Sequence, residues 1–155
     1  MSENLVIADG SKAEKYALLY KQIVSLLAGE SDTVANMANV AAMIHATFGF
    51  WWTGFYRVMG GELVLGPFQG PLACSRIRYG SGVCGTAWKK QQTQIVPDVE
   101  QFPGHIACST ASRSEIVVPV WHGGQITAVL DIDSEHFNTF DDEDRIWLEK
   151  IVALF

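Results

Sequence analysis

Ser114-Glu-Ile-Val-Val-Pro-Val-Trp121, then His122-Gly-Gly124, then Gln125-Ile-Thr-Ala-Val-Leu-Asp-Ile-Asp133, reads as two strands around a glycine turn. On the first strand the even positions Ile116, Val118 and Val120 are apolar, and on the second Ala128, Leu130 and Ile132 are. Opposed residues of a hairpin share a face, so even must pair with even if both sets enter one core. That parity excludes a two-residue turn and favours an odd-length loop, for instance Gly123-Gly124-Gln125 with a glycine bulge. Glu115 then lies opposite Asp133, and Val117 opposite Asp131. Three carboxylates, Glu115, Asp131 and Asp133, gather at one end of the face turned away from the core. Like charges opposed on a sheet cost a few tenths to about 1 kcal/mol, so something should compensate. Three readings stand side by side. The carboxylates form a solvated rim, or a metal site with Glu135 and His136, or a pocket for a cation or a group that needs a proton. The metal spacing matches no strong ligand motif. Crowded carboxylates raise one another's pKa, so one can stay protonated and act as an acid.

Outward from this hairpin the hydrophobic period changes in order. Ser11 and Glu14 form a capping-box pattern ahead of the stripe Tyr16, Leu19, Ile23, Leu26 and Leu27. A second helix is expected from near Asp32, carrying Val34, Met37, Ala41, Ile44 and Phe48. Residues 50–58 and 62–68 flank Met59-Gly60-Gly61 as another hairpin. Gln69-Gly70-Pro71 reads as a turn, residues 77–79 as a short strand, and residues 83–90 as a short helix after Gly80-Ser-Gly82. Residues 93–96 form a brief strand, and residues 98–112 a long loop. A closing helix begins around residues 139–142 and carries Ile146, Leu148, Ile151, Val152 and Phe155. The order is two helices, a mostly antiparallel central sheet with loop insertions, and a C-terminal helix: one α+β domain over residues 1–155.

Composition narrows the function. Of the 155 residues, 48% are hydrophobic and 18% charged, as in an ordinary packed core. The formal net charge of −6 argues against nucleic acid or an anionic membrane as the main partner. No segment approaches the ~20 apolar residues of a membrane span. Residues 1–9 carry no basic region before an apolar run, so no signal peptide is expected. A cytoplasmic protein is the expectation, in which thiols stay reduced and disulfides are transient.

The three cysteines, Cys74, Cys84 and Cys108, lie in glycine-rich loop or element-end contexts, with no CxxC pair among them. An odd number cannot all be locked in permanent bridges, which points to thiol redox chemistry. Cys108 precedes the carboxylate hairpin, so a loop can fold its thiol over that face; His105 either lowers its pKa or is simply an exposed loop histidine, the commoner case. Cys84, at the start of a short helix, reads equally well as a packed small residue. In the aromatic strand Phe50-Trp51-Trp52-Thr-Gly54-Phe-Tyr56, alternation sets Trp52, Gly54 and Tyr56 on one face and Trp51, Thr53 and Phe55 on the other. Most such residues fill a core. Covered on both faces, however, the strand can also wall a pocket, with Gly54 leaving space for a small ligand.

Gly66-Pro-Phe-Gln-Gly-Pro-Leu-Ala-Cys74, Gly80-Ser-Gly-Val-Cys84-Gly-Thr-Ala-Trp88, His105-Ile-Ala-Cys108-Ser, Arg113-Ser-Glu115-Ile-Val-Val-Pro119 and Val129-Leu-Asp131-Ile-Asp133-Ser closely resemble the free methionine-R-sulfoxide reductases, single-domain enzymes of the GAF fold. The resemblance spans nearly the whole chain and implies free L-methionine (R)-sulfoxide as substrate. Glu115, Asp131 and Asp133 would then face its α-ammonium, and Trp52 and Tyr56 its methyl end. It implies Cys108 as the nucleophile, with Asp133 or Glu115 as the acid. Cys74 would resolve the resulting sulfenic acid, with Cys84 as the alternative resolver or a relay. Thioredoxin would recycle the disulfide, no metal or organic cofactor is called for, and a homodimer is suggested. The competing reading is a stand-alone GAF module that binds a small molecule or senses oxidants. A reductase for protein-bound sulfoxide is a third.

Overall fold

The computed structural model describes residues 4–105, 108 and 111–155. Among these, helices α1 (Lys12–Ala28) and α2 (Thr33–Phe48) precede strands β1 (Trp52–Met59), β2 (Glu62–Gln69) and β3 (Arg76–Arg78). Helix α3 (Gly82–Lys90), strands β4 (Gln94–Val96), β5 (Ser114–His122) and β6 (Gln125–Ser134), and helix α4 (Asp142–Val152) follow. The strands join in the order β3-β2-β1-β6-β5-β4, with every pairing antiparallel.

Helices α1, α2 and α4 begin where side chains satisfy their first backbone donors. Ser11 Oγ accepts from Glu14 N at 3.2 Å while Glu14 Oε1 accepts from Ser11 N, closing the expected capping box. Asp32 accepts from Ala35 N at 2.8 Å, and Asp141 from Glu143 N at 3.0 Å. Helices α1, α2 and α4 cover one face of the sheet. There Tyr16, Ile23, Ile44, Phe55, Ile116, Leu130, Ile132 and Leu148 are buried in one cluster. A polar tie crosses this layer: Tyr16 Oη and Lys12 Nζ each donate to the buried Asp144 carboxylate at 2.6 Å. Val34 and Ile146, expected on the buried stripes, are exposed at 51% and 46%. Each is apolar by composition but turned to the outer side of its helix.

The β5–β6 pairing carries the expected parity. Ile116 faces Ile132, Val118 faces Leu130, Val120 faces Ala128, Glu115 faces Asp133 and Val117 faces Asp131. The odd residue, however, is not in the turn. His122 pairs with Gln125 around a two-residue Gly123-Gly124 turn, whose φ of 61° and 77° only glycine adopts without strain. The register shifts one step further in: Trp121 faces Ile126 while Val120 faces Ala128, so Thr127 is the bulged residue. A strand bulge alters parity as an odd loop does, which is why the alternation alone pointed to the wrong place. A 3₁₀ turn, Val99–Gln101, lies within the stretch expected to be a loop. That stretch also includes residues 106, 107, 109 and 110, outside the described set.

Candidate active site

The sheet's other face is covered by α3 and the segments before β3 and β5. Trp52, Tyr56, Leu63, Val83, Cys84, Val117 and Val129 are buried there as a second cluster. Within it is a cavity of about 50 Å³, lined by Trp51, Trp52, Tyr56, Cys84, His105, Cys108, Ser112, Glu115, Asp131 and Asp133, with Leu72, Ala73, Ile77 and Ser81–Val83 completing the wall. Trp52, Tyr56, Cys84, Cys108, Glu115, Asp131 and Asp133 thus line one place, and Cys74 is tied to it by its bond to Cys108. Glu135 and His136 do not: both are exposed beyond the end of β6, which removes them from the metal reading.

Cys74 and Cys108 are joined by a disulfide across 34 residues of sequence, with Cα atoms 5.5 Å apart. Cys84 is a free, buried thiol in the first turn of α3. The bridge lies at the cavity wall, so a thiol released at Cys108 opens onto the carboxylates.

Glu115 and Asp131 are each only 6% exposed, and Asp133 is half-buried. Burial, followed by the charges of Asp131 and Asp133, pushes the Glu115 carboxyl well above the usual carboxylate range. Burial, then the charge of Asp131, does the same to Asp133, while Ser112 Oγ donates to Asp133 Oδ1 at 3.2 Å and opposes the shift. Burial raises Asp131 also, against hydrogen bonding that favours its ionised form. Asp131 Oδ1 has no hydrogen-bond partner among the described residues. The site is therefore acidic and proton-holding, with no Lys or Arg among its described residues. Burial lifts the Cys84 thiol well above its ordinary pKa, helped by the Asp131 and Glu115 charges, so it stays protonated at neutral pH. Burial holds His105 below the usual histidine value, which keeps its imidazole neutral and unsuited to depressing a neighbouring thiol by charge.

The aromatic wall differs from its expected form in two respects. Trp51 precedes the first residue of β1, so strand alternation does not bind it, and it lines the cavity beside Trp52. The space over Gly54 is also taken. A Cβ there would fall against Phe68 Cβ and within 2.6 Å of Trp52 Cη2. Gly54 is the bed on which the Trp52 indole rests, between Phe68 at 5.2 Å and Tyr56 at 5.9 Å between ring centroids. Both site aromatics donate to the loop that carries Cys74: Trp52 Nε1 to Pro71 O at 3.0 Å and Tyr56 Oη to Cys74 O at 2.9 Å. Ser112 and the first turn of α3 escaped the sequence reading. Ser112 carries no periodic signal. Ser81, the residue before α3, makes no side-chain cap to the first backbone N–H groups of this helix, and residues 81–84 line the cavity.

The GAF domain family matches residues 28–155. Among curated proteins the chain is 56% identical over 155 residues to GAF domain-containing protein A of Dictyostelium discoideum, covering 99% of this chain and 98% of that one. It is 48% identical over 144 residues to the free methionine-R-sulfoxide reductase of Escherichia coli, covering 92% and 87%. Among solved structures, the free methionine-R-sulfoxide reductase of Neisseria meningitidis, in complex with its substrate, superposes with a TM-score of 0.95 at 50% identity, covering 97% of this chain and 92% of that one.

Proposed function

The chain belongs to the GAF domain family, among its free methionine-R-sulfoxide reductases, and from that membership we propose that it reduces free L-methionine (R)-sulfoxide to L-methionine. The observation that carries the reading is the meeting of a Cys74–Cys108 disulfide with three proton-holding carboxylates in one aromatic-walled cavity. A free amino acid has an α-ammonium that a residue within a protein lacks. Asp131, with whichever of Glu115 and Asp133 is not the acid, supplies the counter-charge for it. The uncapped first turn of α3 offers backbone donors to the α-carboxylate. Trp52 and Tyr56 enclose the methyl end.

In the reduced enzyme the Cys108 thiolate attacks the sulfoxide sulfur, and Asp133 or Glu115 delivers a proton to the sulfoxide oxygen. The net step moves that oxygen to Cys108 as a sulfenic acid and returns an electron pair to the methionine sulfur. The Cys74 thiol then condenses with the sulfenic acid, releasing water and forming the disulfide. Thioredoxin reduces it by thiol–disulfide exchange in the cytoplasm. Cys84, protonated and buried, stays out of this cycle.

The disulfide form is the closed end of the cycle. Its cavity of about 50 Å³ has room for a few water molecules, far below the roughly 300 Å³ at which small-molecule sites begin. Trp52 and Tyr56 are also occupied by the Cys74 loop. Reduction frees that loop, opens the cavity and returns both donors to the substrate. The test is turnover of free L-methionine (R)-sulfoxide with dithiothreitol or thioredoxin, beside the (S) epimer and a Cys108→Ser variant. Turnover of the (R) epimer alone, lost in the variant, supports the reading. Binding without turnover in the fully reduced protein would instead leave a GAF sensor.

A further inference from the structure

We infer that the reduced enzyme holds a soft divalent metal ion, of the Zn²⁺ class, between the Cys84 thiol and the Glu115 and Asp131 carboxylates, where it shuts out substrate. One ligand atom from each of these three residues lies within 4.8 Å of the other two. All three residues are buried, with 4%, 6% and 6% of their surfaces exposed. Ligands of a tetrahedral Zn²⁺ bound by sulfur at ~2.3 Å and oxygen at ~2.0 Å stand roughly 3.5 Å apart, so the triad needs only a small contraction.

The second observation is the Asp131 carboxylate itself. It is more than nine-tenths buried, and its Oδ1 has no hydrogen-bond partner among the described residues. A buried acceptor left unpaired costs about 1–3 kcal/mol, so a ligand that satisfies it is favoured. The donor set selects the ion. One sulfur and two carboxylates suit Zn²⁺ rather than Mg²⁺ or Ca²⁺, which seek oxygen alone and more ligands. A fourth ligand would come from solvent or from the His105 imidazole, which lines the same cavity.

The ion occupies the groups assigned above to the substrate α-ammonium, so inhibition should be competitive: KM rises with metal while kcat holds. That consequence rests on the proposed function, whereas the binding itself does not. The test is an anaerobic Co²⁺ titration of fully reduced, reductant-free protein. The expected result is a thiolate-to-cobalt charge-transfer band in the near ultraviolet with intense four-coordinate visible bands, bleached by added Zn²⁺. The charge-transfer band should persist in Cys108→Ser and vanish in Cys84→Ser. Asp131→Asn should weaken Co²⁺ binding at least about tenfold. Circular dichroism checks that each variant is folded, and Glu115→Gln, expected to weaken Co²⁺ binding as Asp131→Asn does, substitutes for any variant that is not. A wild-type protein without the band, or a band that survives Cys84→Ser, overturns the site. Inactivity toward methionine sulfoxide with the band intact would strike the proposed reaction and leave the metal site standing.

Discussion

Glu115 on β5 faces Asp133 on β6 directly across the hairpin, and the Asp131 carboxylate lies in the same cavity. The opposition is unfavourable whenever both carboxylates are ionised with no ligand between them. All three carboxyls hold their protons to higher pH folded than unfolded. Between the ordinary carboxylate range, near pH 4, and those raised values the folded chain binds more protons than the unfolded one, so stability falls as pH rises. The penalty is absent below the ordinary range and complete above the raised values. Each group contributes at most about 1.4 kcal/mol per pH unit. Urea denaturation of the disulfide form across this window should therefore show declining stability, with a shallower decline in Glu115→Gln. An unchanged slope in that variant would contradict the burial of a proton on Glu115.

Gly54→Ala should damage the site without touching a carboxylate or a thiol. The new Cβ falls against Phe68 and the Trp52 ring, neither of which can retreat within the packed wall. A destabilisation of about 1–3 kcal/mol is expected. KM for free methionine (R)-sulfoxide should rise as the indole is displaced. A variant with wild-type KM would show that Trp52 is not fixed by Gly54.

On the helical face, Tyr16→Phe removes the Oη that donates to the buried Asp144, leaving that carboxylate short of one donor. The loss should be about 1–3 kcal/mol in chemical denaturation. Turnover at a temperature where both proteins are folded should be unchanged, because the sheet separates this tie from the cavity. A fall in turnover would mean that the two faces are coupled.

Much of this architecture could be read from the chain before any coordinates. Even-numbered apolar residues on β5 and β6 dictated the pairing of Glu115 with Asp133, because register follows the buried face. The position of the bulge could not be read. Thr127 is an ordinary strand residue with no local signal for a bulge. The role of Gly54 was misread for a related reason. A missing side chain marks a space, but whether a ligand or the Trp52 ring fills it depends on packing from outside the strand. The partnership of Cys74 with Cys108 rather than Cys84 is likewise a matter of loop geometry across 34 residues. Sheet order and the exposure of Val34 and Ile146 follow from long-range packing that a local period does not encode.

Opening of the Cys74 loop is the motion the cycle requires. In the disulfide form residues 70–76 are held by the Cys108 bond and by the donors Trp52 Nε1 and Tyr56 Oη. Hydrogen exchange measured on both redox forms should show faster exchange of this segment after reduction, with β5 and β6 unchanged. Equal protection in the two forms would count against a gating loop.

The most direct measurement is a single turnover. Fully reduced protein, freed of reductant, is mixed with free L-methionine (R)-sulfoxide, then quenched, alkylated and mapped by mass spectrometry. The account predicts one equivalent of methionine for each Cys74–Cys108 disulfide formed, with Cys84 recovered as the alkylated thiol. Methionine formed together with a bond to Cys84, or no methionine from protein with all its thiols reduced, would contradict it.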